Sequence, residues 1–120
     1  MKYAFEKKGR ILTVTISGEL DHHNAAPLRT AVDEKIISSG ARGLVLDFSG
    51  LEMMDSSGIG VIMGRCRLME SLGGHVCVSG TKSQIRKIIL LSGLGKLVGV
   101  CDTAEQGRKL LENTARRETV

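Results

Sequence analysis

The stretch of sequence that decides the fold covers residues 43–64, which read GLVLDFSGLEMMDSSGIGVIMG. Residues 43–48 form a short apolar run, which is typical of a strand buried on both faces of a sheet. A loop is predicted over 49–56 and a helix over 57–72, where a pair of glycines would end it. A strand that leads into a helix in this way predicts a β-α unit of an α/β domain. The predicted buried stripe of the helix is Ile59, Ile62, Met63, Cys66 and Met69.

The same alternation of strands and helices continues on both sides of this unit. The other predicted elements are a hairpin over 3–16, a helix capped by Asn24 that ends at Ser38-Ser39-Gly40, strands over 75–79 and 96–101, a helix with Ile85, Ile88 and Ile89 facing inward, and a last helix through Leu111. The segments 81–84 and 103–106 predict capping boxes at the starts of the last two helices. The order is therefore ββαβαβαβα, which predicts a single α/β domain over 1–120 with a mixed, mostly parallel sheet joined by crossover helices. Residues 113–120 are expected to form a frayed tail.

The composition excludes several classes of protein. The chain has 120 residues, of which 42% are hydrophobic and 25% charged, which is typical of one globular domain with its own core. Aromatic residues make up only 2%, so a stacking surface for single-stranded nucleic acid is not expected. The net charge is +4, but no basic stripe follows one helix, and nucleic-acid binding is not predicted. Since no signal segment or long apolar run is present, we expect a cytoplasmic protein that does not enter a membrane.

The cysteines and histidines do not predict a metal site or a disulfide. Cys66, Cys77 and Cys101 form no Cys-x-x-Cys pair and each lies in an apolar run, so we expect reduced, buried side chains. His22 and His23 are adjacent, and in an extended segment such side chains point in opposite directions. No carboxylate or cysteine spacing completes a ligand set with them or with the third histidine, His75.

The junction between the strand and the helix of residues 43–64 is the most informative place for chemistry. Unpaired backbone N–H groups and the positive end of the helix dipole meet there, so an anion such as phosphate is stabilised. Ser56 or Ser57 is expected to cap the helix. Gly60 and Gly64 lie inside the helix and on one face, where each costs about 1 kcal/mol relative to Ala. They predict a flat surface that is approached closely by either the sheet behind it or a partner in front of it.

The same junction allows an alternative, catalytic interpretation. A small-nucleotide-binding or hydrolytic α/β domain could use the Ser56–Gly60 loop to hold phosphate. Against it, a nucleophile elbow requires glycine two residues before the serine, and position 54 is Met. The glycine spacing is one residue too long for a dinucleotide fingerprint, the predicted loop is also too long, and no Lys follows the glycines. We therefore do not expect an enzyme.

Three segments of the sequence together resemble a known family of regulatory proteins. They are Gly18-Glu19-Leu20-Asp21-His22-His23, the stretch 54–65, and Leu91-Ser92-Gly93-Leu94. In this order and spacing they are similar to the anti-sigma factor antagonists of the STAS-domain family, with the strongest likeness to its sporulation branch. The resemblance covers nearly the whole chain. Family members often carry Phe where this chain has Leu90-Leu91, so the particular sigma and anti-sigma pair is not predicted.

This resemblance implies a phosphorylation switch. Unphosphorylated family members bind an anti-sigma factor that is also a serine kinase, and the sigma factor is released. The kinase then phosphorylates the serine that follows the motif's Asp, the complex dissociates, and a serine phosphatase restores the active form. By position the phosphorylated residue is Ser56. No cofactor is expected, and the free protein is expected to be a monomer. The partner-binding residues implied by position are Asp21, His22, His23, Asn24, Asp55, Ser57, Gly58, Gly60 and Gly64.

Overall fold

The chain follows the predicted order ββαβαβαβα, with one short 3-10 turn added. A computed structural model describes residues 1–119, and the side chains of residues 1–115. The elements are β1 (Lys2–Lys8), β2 (Ile11–Leu20), α1 (Ala25–Ser39), β3 (Gly43–Met54), α2 (Ser56–Ser71), β4 (His75–Ser79), α3 (Ser83–Leu91), the 3-10 turn (Leu94–Lys96), β5 (Gly99–Cys101) and α4 (Ala104–Thr119). None of the helices in this part of the chain is long and apolar enough to cross a membrane.

The five strands form one sheet in the order β1-β2-β3-β4-β5. β1 and β2 pair antiparallel as a hairpin, and every later pair is parallel. The predicted mixed, mostly parallel sheet is therefore confirmed. Because β2, β3 and β4 are parallel neighbours, their carboxyl ends meet at one edge of the sheet and their amino ends at the opposite edge.

Helices cover both faces of the sheet. Side chains alternate along β3, so that Leu44 and Leu46 belong to a large core shared with α1, α2 and α3, whereas Val45 belongs to a smaller cluster. That smaller cluster includes Cys77 of β4 and Leu111 of α4. The central strands are consequently buried on both faces, as their apolar runs predict.

The largest difference from the predicted elements is the length of β3. The strand continues to Met54, and the predicted loop over 49–56 is wrong. The reason is long-range, because β2 also continues to Leu20, where it pairs with Met54. The glycine that suggested a loop has a structural role in this pairing: a Cβ at Gly50 would lie 2.8 Å from the Cβ of Ser17 on the neighbouring strand.

Smaller differences occur near the carboxyl end of the chain. The prediction of a capping box at 81–84 is wrong, since the N-cap residue of α3 is Lys82 and no side chain caps this helix. The box at 103–106 is confirmed, because the Gln106 N–H donates to the Thr103 hydroxyl at 3.1 Å. Ile88 is exposed rather than inward, and β5 is shortened to three residues by the 3-10 turn before it. α4 continues to Thr119, and whether its end frays stays a prediction; Val120 lies outside the described residues.

The buried face of α2 includes Ile62 and Met69 of the predicted stripe, as expected, and otherwise lies one residue earlier than predicted. Its buried residues include Val61 and Arg65, whereas the predicted Ile59, Met63 and Cys66 are only half-buried. Arg65 reaches the interior because its Nε lies 2.7 Å from Asp33 Oδ1 on α1. A charged side chain tolerates burial when it is paired in this way.

The three cysteines are free thiols, as predicted, but only Cys77 is fully buried. Its Sγ lies 3.2 Å from Sγ of Cys101 on β5. Burial, followed by the hydrogen bond with Cys101, raises the pKa of the Cys77 thiol. Burial likewise raises the pKa of Cys66 to about 11. At neutral pH both thiols are therefore protonated and poorly nucleophilic.

This pKa predicts the pH dependence of alkylation at Cys66. Below its pKa of about 11 the thiolate fraction rises about tenfold per pH unit, so labelling of Cys66 in the native protein should still rise steeply between about pH 8 and pH 10. In the unfolded chain, whose thiol pKa is about 8.5, the rate should level off in that range. The measurement is the rate of iodoacetamide labelling, by mass spectrometry of the Cys66 peptide. A plateau below pH 9 in the native protein would contradict the assignment.

Candidate functional site

The carboxyl ends of β2 and β3 bring together the two sequence segments that carry the predicted site. Leu20 and Met54 are paired across the two strands, so Asp21 and Asp55 follow them at the same edge of the sheet. The backbone is continuous across this edge, because the Asp55 N–H donates to the Leu20 carbonyl at 3.2 Å. The turn at 21–24 therefore lies beside the start of α2, although about thirty residues separate them in the sequence.

Asp55, and not a serine, caps α2. Its Oδ1 accepts a hydrogen bond from the Ser57 N–H at 2.8 Å, and its backbone is extended. The expectation that Ser56 or Ser57 caps the helix is therefore wrong. Because β3 continues to Met54, Asp55 is the residue between strand and helix, and Asp is as favourable there as Ser.

The Ser56 hydroxyl therefore makes no capping hydrogen bond to α2. Ser56 is the first residue of α2 and is exposed, whereas Ser57 is half-buried. Within the described residues, the Ser56 hydroxyl has no hydrogen-bond partner. None of the described side chains places a base within hydrogen-bond distance of it, which is what a serine nucleophile needs. The site therefore presents the Ser56 hydroxyl at the protein surface.

The turn at 21–24 is fixed by hydrogen bonds within itself. Asp21 Oδ1 accepts from the N–H groups of His23 at 2.9 Å and Asn24 at 3.2 Å. Asn24 Oδ1 accepts from the Asp21 N–H at 2.9 Å, while its Nδ2 donates to the Glu19 carbonyl at 2.7 Å. Asn24 occupies the N-cap position of α1, as predicted, but its side chain makes no cap hydrogen bond and closes the turn instead. His22 and His23 are exposed on this fixed turn.

The glycines of α2 divide into two groups. Gly58 is buried, and a Cβ there would collide with the side chain of Met54 and lie 3.3 Å from Leu20 Cδ2. Gly60 and Gly64 face open space, since a Cβ at either would meet nothing within 4 Å. Packing against the sheet therefore explains why position 58 is glycine. It does not explain the glycines at positions 60 and 64. Those two glycines keep the outward face of α2 flat next to Ser56.

The structure weakens the nucleotide-binding interpretation, although the loop before α2 is not too long, contrary to the prediction. The connection from β3 to α2 is one residue, Asp55, so the junction is tighter than the sequence suggested. The glycine spacing, however, remains one residue too long. Arg65 is the first cation after the glycines, and it is buried against Asp33 rather than turned to the junction. Within the described residues, the cation that follows the glycines is therefore not available to neutralise a phosphate at the junction.

Comparisons with known proteins agree on one family. The STAS domain family model matches residues 2–107. An anti-sigma F factor antagonist of Paenibacillus polymyxa is 38% identical over 92 residues, which cover 77% of this chain and 79% of that protein. The anti-sigma factor antagonist SpoIIAA in its unphosphorylated form has a TM-score of 0.81 at 27% identity, with 93% of this chain and 97% of that one covered. The Bacillus cell fate determinant SpoIIAA in its phosphorylated form has a TM-score of 0.72 at 28% identity, with 90% and 97% covered.

Proposed function

Since this chain belongs to the STAS domain family, we propose that it is an anti-sigma factor antagonist controlled by phosphorylation of Ser56. The unphosphorylated form binds an anti-sigma factor serine kinase in the cytoplasm and frees the sigma factor. Phosphorylation of Ser56 ends that binding, and a serine phosphatase restores it. The protein is then a regulator without catalytic activity or cofactor, and a monomer when free. Its similarity to SpoIIAA and to an anti-sigma F factor antagonist favours a role in sporulation.

The observation that carries this proposal is the exposed Ser56 hydroxyl at a helix end already capped by Asp55. A kinase needs a hydroxyl that it can reach, and a serine engaged in capping would have to be released first. Here the cap is supplied by the neighbouring carboxylate, so modification of Ser56 removes no hydrogen bond of the described fold.

Phosphorylation is expected to act on the interface and to leave the fold unchanged. A phosphate adds a charge of about −1.5 to −2 and three strong acceptors. At the first residue of α2 the helix dipole and N–H groups stabilise it. The existence of both unphosphorylated and phosphorylated SpoIIAA structures with this fold supports that view. The dianion is instead repelled by acidic groups and nucleotide phosphates of a bound kinase, with Asp55 and Asp21 adding negative charge beside it.

The proposed docking surface consists of the outward face of α2 and the turn at 21–24. Gly60 and Gly64 let a partner's backbone or side chains approach the helix closely. His22 and His23 supply exposed polar groups on a turn that is already ordered, so little conformational entropy is lost on binding. The surface lacks a large aromatic anchor among its described residues, so it depends on close fit.

The two outward glycines give a prediction that separates folding from binding. Gly60→Ala and Gly64→Ala should each stabilise the fold by about 0.5–1 kcal/mol, since Ala is the better helix former and the added methyl meets nothing. The same methyls should weaken binding to the kinase about tenfold or more if this face docks. Urea denaturation and calorimetric titration measure the two effects.

Gly58→Ala is the matched control for these substitutions. It is the same change on the same helix, but the buried Met54 side chain must move, so it should destabilise the fold by about 1–3 kcal/mol. If Gly60→Ala and Gly64→Ala stabilise the protein and leave kinase affinity unchanged, the outward face of α2 is not the docking surface.

A phosphorylation assay tests the proposed function against the catalytic alternative. The purified protein is incubated with ATP alone and then with ATP and the anti-sigma factor kinase of its own organism. We expect phosphate on Ser56 only when the kinase is present, with Ser57→Ala as the control that still accepts phosphate. ATP turnover without the kinase would instead support the small-nucleotide-binding or hydrolytic domain.

A further inference from the structure

At the edge of the sheet opposite Ser56, the structure has a half-open cavity of about 530 Å³. Ile11, Gly43 and His75, the first residues of β2, β3 and β4, all line it. Its volume lies within the range of about 300–1,000 Å³ that is common for small-molecule pockets. β3 spans 12 residues between this cavity and the junction before Ser56, a distance of about 35–40 Å. The cavity is therefore separate from the proposed docking surface.

The inner wall of the cavity is apolar. Ile11 from β2, Leu72 after the end of α2 and Leu111 from α4 line it, and Ile11 and Leu111 are only 5% and 6% exposed. Ile11 and Leu111 belong to the apolar cluster on one face of the sheet, and Leu72 packs against the core on the other face. Since such a wall gains free energy only by covering apolar surface, it favours an occupant with a hydrocarbon part.

The rim of the cavity is cationic. Lys8, Arg10 and Arg42 line it, and Glu112 is the one acidic residue among its described lining. Arg10 forms no ion pair with a described residue, and Lys8 has only a solvent-exposed contact of 3.5 Å with Glu6, which is weak. The rim is thus complementary in charge to an anion.

We propose that this cavity binds a small amphipathic anion, namely a carboxylate with a hydrocarbon tail. The tail lies against Ile11, Leu72 and Leu111, and the carboxylate meets Arg10 and Lys8. An inorganic anion would leave the apolar wall uncovered. A nucleobase stacks best on an aromatic ring, and the described lining contains no Phe, Tyr or Trp.

The test is a titration of the full-length protein, followed by amide chemical shifts, with three matched probes. Octanoate has both the tail and the charge, octan-1-ol has only the tail, and acetate has only the charge. We expect octanoate to shift the amides of Ile11, Gly43 and Gly73 and to bind at least tenfold more tightly than either control. The double variant Lys8→Gln/Arg10→Gln should weaken octanoate binding about tenfold, because both side chains are exposed and the fold does not depend on them. Lys87→Gln, an exposed lysine of α3 away from the cavity, should not change it.

Three results would overturn the proposal. Absence of octanoate-induced shifts at these amides up to about 10 mM (a free energy of binding weaker than about −3 kcal/mol) would show that the cavity is not a site. Equal affinity for octan-1-ol would show that the cations have no part in recognition. Unchanged octanoate affinity in the double variant, with its native spectrum retained, would place the carboxylate elsewhere. None of these results depends on the kinase, so the proposal can fail while the proposed function stands.

Discussion

Ser56→Asp is expected to weaken binding to the anti-sigma factor kinase by about 30-fold, while Ser56→Ala binds tightly and is never released by ATP. The Asp variant places one fixed negative charge on the first residue of α2, beside the capping carboxylate of Asp55. One charge is about half of what a phosphate adds, and a penalty of about 2 kcal/mol corresponds to this change in affinity. The Ala variant keeps the neutral surface and lacks only the hydroxyl that accepts phosphate. Calorimetric titration with and without ATP measures both effects.

Ser57→Asp is the control for these two variants. It adds the same charge one residue later, but Ser57 is half-buried and its N–H already donates to Asp55. It should therefore change binding less than Ser56→Asp does, and its hydroxyl is not needed for release by ATP. If Ser56→Ala is released by ATP as efficiently as the unchanged protein, another residue carries the phosphate.

The second large effect concerns stability. Asp33→Ala should destabilise the fold by about 2–3 kcal/mol, or about 10 °C in Tm, because it leaves the Arg65 guanidinium buried without its partner. Burial already lowers the pKa of Arg65, and the Asp33 carboxylate 2.7 Å away is the largest influence that opposes that shift. The cost is smaller than for a fully buried pair because the Asp33 side chain is 35% exposed.

Removing the other partner should have a much smaller effect. Arg65→Met leaves Asp33 close enough to solvent to be hydrated and fills the interior with an apolar chain, so we expect a change within about 1 kcal/mol. Glu34→Ala, at an exposed position next to Asp33 on α1, controls for the change in helix propensity. Thermal unfolding of the three variants measures the asymmetry. Equal destabilisation by Asp33→Ala and Arg65→Met would mean that the pair acts through packing and not through charge.

Much of the fold could be predicted because the information is local. The apolar runs 43–48 and 75–79 and the helices between them follow from periodicity, and their alternation implies a parallel sheet. The continuation of β3 to Met54 could not be predicted, because it depends on pairing with the end of β2 more than thirty residues earlier. Because the strand was predicted to end too early, the helix cap was assigned to Ser56 or Ser57 and not to Asp55.

The proximity of the two candidate segments was predictable, but the structural role of each residue was not. The sequence marked Gly58, Gly60 and Gly64 together, and only the contacts of α2 with Met54 and Leu20 show that the first packs inward. The inward turn of Arg65 was missed for a related reason, since its partner Asp33 lies on a different helix. The cavity at the opposite edge could not be predicted at all, because separate segments form it only after folding. Of these missed features, only the cap at Asp55 had a signal in the sequence, since Asp is a favoured N-cap residue.

The most direct test of the central claim uses a single preparation of the protein phosphorylated by its kinase. Its affinity for that kinase is measured before and after removal of the phosphate by a serine phosphatase, with the modified residue identified by mass spectrometry. We predict phosphate on Ser56 and an affinity about a thousandfold higher after its removal, which corresponds to about 4 kcal/mol. Equal affinities before and after removal, or a phosphate on any residue other than Ser56, would contradict the account.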